Sequence, residues 1–250
     1  MSATVYPPGC RQTALFQSQI AILKSKIMKV LITAGPTREP IDGVRFLGNR
    51  SSGKMGAALA AAAVARGADV TLVAGPETPA VPGARRIDFE TAADLERTLA
   101  DLAPRADVVV MAAAVADFRP RSPVAGKLSR RTAGSEISLT LEAVPDLLAA
   151  LARARRGMRP YLIGFAAEMA GGDALAERAA AKLREKRCDA IVGNDVSASE
   201  IGFGADDNAV TVLFGDGARH AIARAPKRAI ADSLWTLFAP RLPGPEAADA

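Results

Sequence analysis

The chain has 250 residues, of which 49% are hydrophobic, 24% charged and 4% aromatic, with a formal net charge of +5 and a mean hydropathy of +0.12. That length can bury one large core or two small ones. The scarcity of aromatic rings excludes a base-stacking platform for single-stranded nucleic acid, and basic residues spread along the chain suit a small anionic ligand better than a duplex.

No apolar run reaches the roughly 18 residues that a membrane span requires. Cys10 and Cys188 are the only cysteines; they exclude a disulfide framework and a structural zinc site and fit a reducing cytosol. The single histidine, His220, lies near a turn and reads as a solvent-exposed bystander.

Residues 1–28 read as an extension outside the fold. Gln17, Ser18 and Gln19 interrupt its one apolar stretch, unlike a signal peptide, and Met28-Lys29-Val30 reads as a natural start. Residues 30–33 form a continuous apolar run, the mark of a parallel strand buried on both faces. A long loop of glycines, prolines, hydroxyls and bases follows over 35–52. An alanine-rich helix is predicted over 53–66 and a second strand over 69–74, completing a right-handed βαβ unit. A short strand at 86–89 and a helix at 92–102 come next, the helix capped by Thr91. Residues 107–112 are another core strand.

The pattern then changes. Residues 113–123 are loop-like. The basic segment 127–131 and the alternating segment 136–141 are expected to pair as a hairpin arm turned at Ala133-Gly134. Pro145 fits the first turn of a helix reaching about residue 155. Strands at 161–166 and 189–193 flank a helix at 173–187. Gly215-Asp216-Gly217 turns a hairpin between 209–214 and 218–223, and a closing helix spans 227–238. Residues 240–250 read as a frayed tail.

The predicted class is therefore α/β, a Rossmann-like, mostly parallel sheet with helices on both faces and a projecting β-hairpin arm, in one domain over 29–239. Ligands of such sheets bind beyond the carboxyl ends of the strands. The segments 35–52, 75–76, 113–119, 166–169 and 194–197 should converge there.

Common cradles do not fit. The first βα turn lacks G-x-G-x-x-G, and Val73-Ala74-Gly75 stands where a ribose-binding acid would end the second strand. Gly48-x-x-x-x-Gly53-Lys54 begins like a P-loop, but Met55 replaces the magnesium-binding hydroxyl. A glycine-rich entry to a helix still favours an anion.

The run from Thr33 through Gly35-Pro36-Thr37-Arg38-Glu39-Pro40 to Asp42, with Val44-Arg45 and then Asn49-Arg50-Ser51-Ser52-Gly53-Lys54-Met55-Gly56, resembles the start of the phosphopantothenate–cysteine ligases. Further matches follow in order: Ala112-Ala113-Ala114-Val115-Ala116-Asp117-Phe118, Lys127-Leu128, Pro145-Asp146, Gly164-Phe165-Ala166-Ala167-Glu168, Lys182 with Lys186, Asn194-Asp195-Val196, and Asn208. The likeness extends from about residue 29 to about residue 238.

This resemblance implies a ligase of the bacterial, CTP-dependent type. The carboxylate of 4′-phosphopantothenate would attack the α-phosphate of CTP, releasing pyrophosphate, and the amine of L-cysteine would displace CMP from the acyl-cytidylate. It implies a cytoplasmic homodimer, Mg²⁺ brought with CTP, and a flavin-dependent phosphopantothenoylcysteine decarboxylase as a partner, since relatives are often fused to one. Asn49, Lys127 and Arg45 are the implied catalytic set. Lys127 would steady the activated carboxyl and the α-phosphate, and Asn49 the acyl carbonyl, while Arg45 would meet the pantothenate phosphate or the intermediate.

The nucleotide would lie on Met111, Ala112, Ala113 and Asp117, on Val144, Pro145 and Asp146, against Phe165, and under Lys127, Lys182 and Lys186. Substrate contacts would come from Arg45, Asn49, Ser52, Gly53 and Ala114. No acidic cluster forms a dedicated metal cage.

Read without the resemblance, these residues have blander roles. Lys182 and Lys186 share one helix face with Arg184 and Glu185 and could simply be solvated. Asp117 could pair with Arg119, and Phe165 could be core. The arm departs from the family pattern Lys-x-Lys-Lys, with Ser129 and Arg130 at the later positions. The readings held against the ligase are an NAD(P)-dependent oxidoreductase of the same sheet type and a non-catalytic nucleotide-binding module.

Overall fold

A computed structural model describes residues 27–169, 171–196 and 204–243. Met28–Pro243 make up one compact unit, and the architecture is that of this unit. The expectations for residues 1–26, 197 and 244–250 lie outside the described residues.

An eight-stranded sheet runs through the unit. Its strands are β1 (Lys29–Ala34), β4 (Asp69–Ala74), β5 (Arg85–Asp88), β6 (Val108–Met111), β9 (Tyr161–Glu168), β10 (Ala190–Asp195), β11 (Asp207–Phe214) and β12 (Arg219–Pro226). In the order β12-β11-β10-β9-β6-β1-β4-β5, strands β1, β4, β5, β6, β9 and β10 are parallel, while β11 is antiparallel to both of its neighbours, β10 and β12, at one margin. Two short ladders stand outside it, β2 (Arg38–Pro40) with β3 (Phe46–Gly48), and β7 (Phe118–Pro120) with β8 (Leu141–Ala143).

Continuous apolar runs become strands buried on both faces. Val30, Leu31, Ile32 and Ala34 in β1 are all buried, as are Val108, Val109 and Val110 in β6. Alternate residues feed two cores. One packs Ile32, Val110 and Val192 against α1 (Lys54–Val64) and α6 (Lys227–Phe238). The other packs Leu31, Val109 and Ile191 against α2 (Ala92–Leu102), α4 (Leu147–Ala154) and α5 (Gly172–Lys186). Helices thus cover both faces of a Rossmann-like sheet.

Small residues let α1 lie close on β1. A Cβ on Gly56 would stand 2.4 Å from the Ala34 Cβ. Trp235 of α6 donates its indole N–H to the Leu59 carbonyl at 3.0 Å, tying the two helices on that face. Helix α2 begins as its sequence dictates. Thr91 Oγ1 accepts from the Asp94 N–H, and the Asp94 carboxylate accepts from the Thr91 N–H, a reciprocal capping box.

Several expectations need correction. The arm is not a hairpin of 127–131 with 136–141. Instead Phe118 pairs with Ala143 and Pro120 with Leu141, and the segment between them carries a single helical turn, α3 (Arg130–Ala133). The alternation at 136–140 lies outside any strand. The opening loop contains the β2–β3 hairpin. Pro145 precedes the cap rather than entering the helix, because the Asp146 side chain accepts from the Ala149 N–H and becomes the N-cap of α4.

Candidate active site

In the sheet order, the chain moves from β1 outward to β4 and β5, and then back across to β6, β9 and β10. A crevice is expected beyond the carboxyl ends of the strands at that reversal. A crevice of about 730 Å³ opens there, walled by Met111 at the end of β6, the loop 113–117, Phe165 to Ala167 of β9, and the entry to α4. It gathers Asn49, Ala113, Ala114, Asp117, Val144, Pro145, Asp146, Lys182 and Lys186. A smaller compartment of about 120 Å³ shares Ala113, Ala114, Phe165 and Ala167 with it. That compartment holds Ala112, Ser52 and Gly53 and reaches the start of α1.

The loop 112–117 is stitched to the loop after β1. Thr33 Oγ1 accepts from the Ala113 N–H at 3.1 Å, and Thr37 Oγ1 from the Ala116 N–H at 3.0 Å. The Asn49 amide donates to the Ala114 and Val115 carbonyls at 3.0 and 3.1 Å. Asn49 therefore stands in the crevice, and in this structure its donors tie two loops together.

The lysines of α5 face the crevice with acidic partners. Lys182 Nζ lies 2.7 Å from Glu168, and Lys186 Nζ lies 2.5 Å from Asp146 and 2.9 Å from Glu185. Burial raises the Glu168 carboxyl, but Lys182 and Arg178 outweigh it and hold the group below its ordinary value. Burial likewise opposes the charged form of Lys186, and Asp146 and Glu185 overcome it, so its pKa is raised. An incoming polyanion would compete with these carboxylates for the ammonium groups.

Asp117 does not pair with Arg119, which instead meets Glu142 at 2.9 Å. Among the described residues the Asp117 carboxylate has no hydrogen-bonding or ionic partner. Phe165 fills both of its readings, packing on the core while walling both compartments.

Arg45 and Lys127 are not brought to the crevice. Asp42 accepts hydrogen bonds from the N–H groups of Val44, Arg45 and Leu128 and from the Arg45 guanidinium, which also donates to the Leu128 carbonyl at 2.6 Å. Arg45 chiefly, with those N–H groups, overcomes the effect of burial and holds the Asp42 carboxyl well below the carboxylate range. Both main-chain polar groups of Leu128 are thereby gripped, which fixes the root of the arm. Lys127, one residue away, is exposed and without an ionic partner among the described residues. Of the segments expected to converge, 75–76 stays apart. Pro76 lines a separate groove with Asp88 and Phe89, and Gly75 packs against the backbone of Gly35 and Pro36.

The smaller compartment adds residues that motif reading did not assign to the site. Lys54 donates to Asp206 at 2.6 Å and to the Gly204 carbonyl at 3.0 Å. Lys227, at the start of α6, donates to the Ala205 and Asp207 carbonyls. Burial first, then the neighbouring Lys54, lowers its pKa. Asn194 and Asn208 complete the wall. The asparagines sit in family-like motifs and Lys54 follows Gly53, whereas nothing in the sequence marks Lys227.

Cys188 is buried, its thiol pushed up to about 12 by burial above all, which makes it inert at neutral pH. His220 lies on the margin strand β12 with its ring edge-on to Phe214, away from the residues that line the crevice. Among the described residues no cluster of three or more His, Cys, Asp or Glu side chains could hold a metal, and no helix is long and apolar enough to cross a membrane.

A mostly parallel α/β sheet with a lysine-lined crevice at its strand reversal defines a Rossmann-like ligand-binding domain. More specifically, the chain belongs to the family described as DNA/pantothenate metabolism flavoprotein C-terminal domain, whose model matches residues 25–240. It is 42% identical over 194 residues to the Escherichia coli K12 coenzyme A biosynthesis bifunctional protein CoaBC, covering 77% of this chain and 47% of that protein. It is 44% identical over 214 residues to the Mycobacterium tuberculosis H37Rv protein of that name, covering 82% and 50%. The chain thus spans about half the length of these curated relatives. Its fold is similar to a crystal structure of the C-terminal domain of CoaBC, with a TM-score of 0.71 and 36% identity over 86% of this chain and 98% of that one.

Proposed function

We propose that the protein joins 4′-phosphopantothenate to L-cysteine, as a CTP-dependent ligase whose domain spans residues 29–239. The observation that carries this reading is the gathering, in one crevice, of Phe165, Asn49, the Lys182–Lys186 pair and the Asp117 carboxylate, which has no partner among the described residues. Family membership and the bifunctional relatives support it. The oxidoreductase reading has no comparable support, since the nicotinamide fingerprint is missing.

In this mechanism a carboxylate oxygen of phosphopantothenate attacks the α-phosphorus of CTP, and the bond to pyrophosphate breaks. The cysteine nitrogen then attacks the acyl carbon, CMP departs, and the ammonium formed loses a proton. Phe165 offers a face to the base, Asp117 accepts from the ribose hydroxyls, and Lys182 and Lys186 offset phosphate charge. Asn49 serves the acyl carbonyl by releasing one of its loop bonds. Mg²⁺ enters as the complex with CTP.

For Lys127 to reach the α-phosphate, the arm must fold over the crevice or over that of a second copy. A homodimer is supported by Val44, Phe46, Phe118, Val124, Leu139 and Leu141, each 41–62% exposed on the two small hairpins and the segments joined to them. Such clustered apolar side chains mark an interface. Arg45 would serve the substrate phosphate only by leaving Asp42. We place the protein in the cytoplasm, where a phosphopantothenoylcysteine decarboxylase would take up its product.

Incubation with phosphopantothenate, cysteine, MgCTP and purified protein tests the reading by mass spectrometry. Phosphopantothenoylcysteine is the expected product, and its absence with both CTP and ATP would refute the reading.

A further inference from the structure

Thr37 lies in the loop after β1 and is 0% exposed. No role in binding or catalysis follows from its chemistry alone, yet its hydrogen bonds converge on the crevice. Its hydroxyl accepts from the Ala116 N–H at 3.0 Å, and its own N–H donates to the Ala114 carbonyl at 3.2 Å. On the other flank, the Asp117 carbonyl accepts from the Val144 N–H at 2.9 Å. The backbone of Asp117 is therefore clamped on both sides, by Thr37 through Ala116 and by Val144 directly.

The Asp117 side chain, by contrast, is exposed and has no partner among the described residues. A carboxylate left unpaired on a rigid backbone is suited to a ligand that brings its own donors. Thr33 makes a similar contact three residues earlier, at Ala113, so the two hydroxyls act at different points of the loop. Only Thr37 acts next to Asp117.

We propose that Thr37 is a positioning residue for Asp117, holding its carboxylate where it accepts hydrogen bonds from the ribose hydroxyls of the nucleotide. This deepens the proposed ligase reading and rests on it for the identity of the ligand. Without the threonine hydroxyl, the Ala116 N–H loses its partner in a buried place, and the backbone shifts to find another. A displacement of about 1 Å is enough to lose most of a directed contact. The bland alternative is that Thr37 only supports the loop, in which case its loss would act on nucleotide binding independently of Asp117.

Calorimetric titration of MgCTP into the full chain distinguishes the two. Thr37→Val keeps the shape and removes the acceptor. It should weaken CTP binding about tenfold, while Thr37→Ser, which restores a hydroxyl, should stay within about twofold of the parent. Asp117→Ala should weaken binding as well, and the double variant should bind no more weakly than Asp117→Ala alone, because interacting residues are not additive. If Thr37→Val does not fold, Thr37→Ala reads the same cycle without a methyl against the Ala116 N–H.

Unchanged CTP affinity in the hydroxyl-less variant, or full additivity with Asp117→Ala, would overturn the proposal. A parent protein that binds neither MgCTP nor MgATP would be a different failure, that of the ligase reading itself.

Discussion

Asp146 offers the sharpest test of how the crevice wall is held. Its Oδ1 accepts from the Ala149 N–H at 3.0 Å and caps α4, while its Oδ2 meets Lys186 at 2.5 Å. The side chains of Asp146 and Lys186 are 36% and 24% exposed. Asp146→Ala removes both interactions. Loss of the cap costs about 1 kcal/mol, and the ion pair, discounted for solvent screening, about 0.5 kcal/mol. The sum of about 1.5 kcal/mol lowers Tm by roughly 3–6 °C in a chain of this size. Asp146→Asn keeps an acceptor for Ala149 and loses only the charge, about 0.5 kcal/mol, so Tm should fall by about 1–2 °C.

The pH dependence has a definite sign. Burial raises the Asp146 carboxyl, but Lys186 and the Ala149 N–H outweigh it, so its folded pKa is lowered. The stabilisation is therefore complete above the unfolded Asp value of about 3.9 and is lost as pH falls through the lower folded value. Calorimetric melts of the parent and the alanine variant should differ most near neutrality and converge in acid. Equal losses for the asparagine and alanine variants, or a gap that widens in acid, would refute the assignment.

Other variants probe other parts of the site. Gly53 has φ +70°, and a Cβ there would stand 2.5 Å from Thr78 Oγ1. Gly53→Ala should therefore cost about 1–3 kcal/mol in thermal melts and weaken phosphopantothenate binding. Lys182→Ala combined with Lys186→Ala should raise the KM for CTP at least tenfold, by roughly 1.4 kcal/mol or more of lost phosphate contact, while leaving the KM for cysteine nearly unchanged in initial-rate assays. Lys127→Gln should abolish turnover yet preserve the melting temperature; normal turnover would remove the arm from the mechanism. Asp42→Ala removes the acceptor of the Leu128 N–H and the anchor of Arg45, which holds the Leu128 carbonyl, and limited proteolysis should then cut faster within residues 121–131.

Much of the frame was legible because buried parallel strands leave a plain mark. Residues 69–74 and 227–238 are the same in the sequence reading and in β4 and α6, and Gly215-Asp216-Gly217 turns the β11–β12 hairpin as expected. The short ladders were not legible. Strands β2 and β3 are three residues each, too brief for a period to show, and Phe118 finds Ala143 only through long-range pairing. The alternation at 136–140 is an exposed segment that joins no strand among the described residues.

The gathering of Met111, Ala113, Asp117 and Phe165 in one crevice was legible because they end core strands or follow them, and the sheet carries those strand ends to one place. Arg45 and Lys127 were harder to place. Their positions depend on the Asp42 turn and on how the arm is rooted, neither of which has a period or a spacing in the sequence. Lys227 reaches the small compartment only because α6 packs beside α1.

The proposed role of the crevice, activating phosphopantothenate with a nucleoside triphosphate, is tested most directly by pyrophosphate release. Pyrophosphate release is measured from purified protein with MgCTP, first with phosphopantothenate alone and then with cysteine added. Release should require phosphopantothenate, stop near one equivalent per site without cysteine, and become catalytic when cysteine is supplied. Release that is indifferent to phosphopantothenate, or absent with CTP and ATP alike, would contradict it.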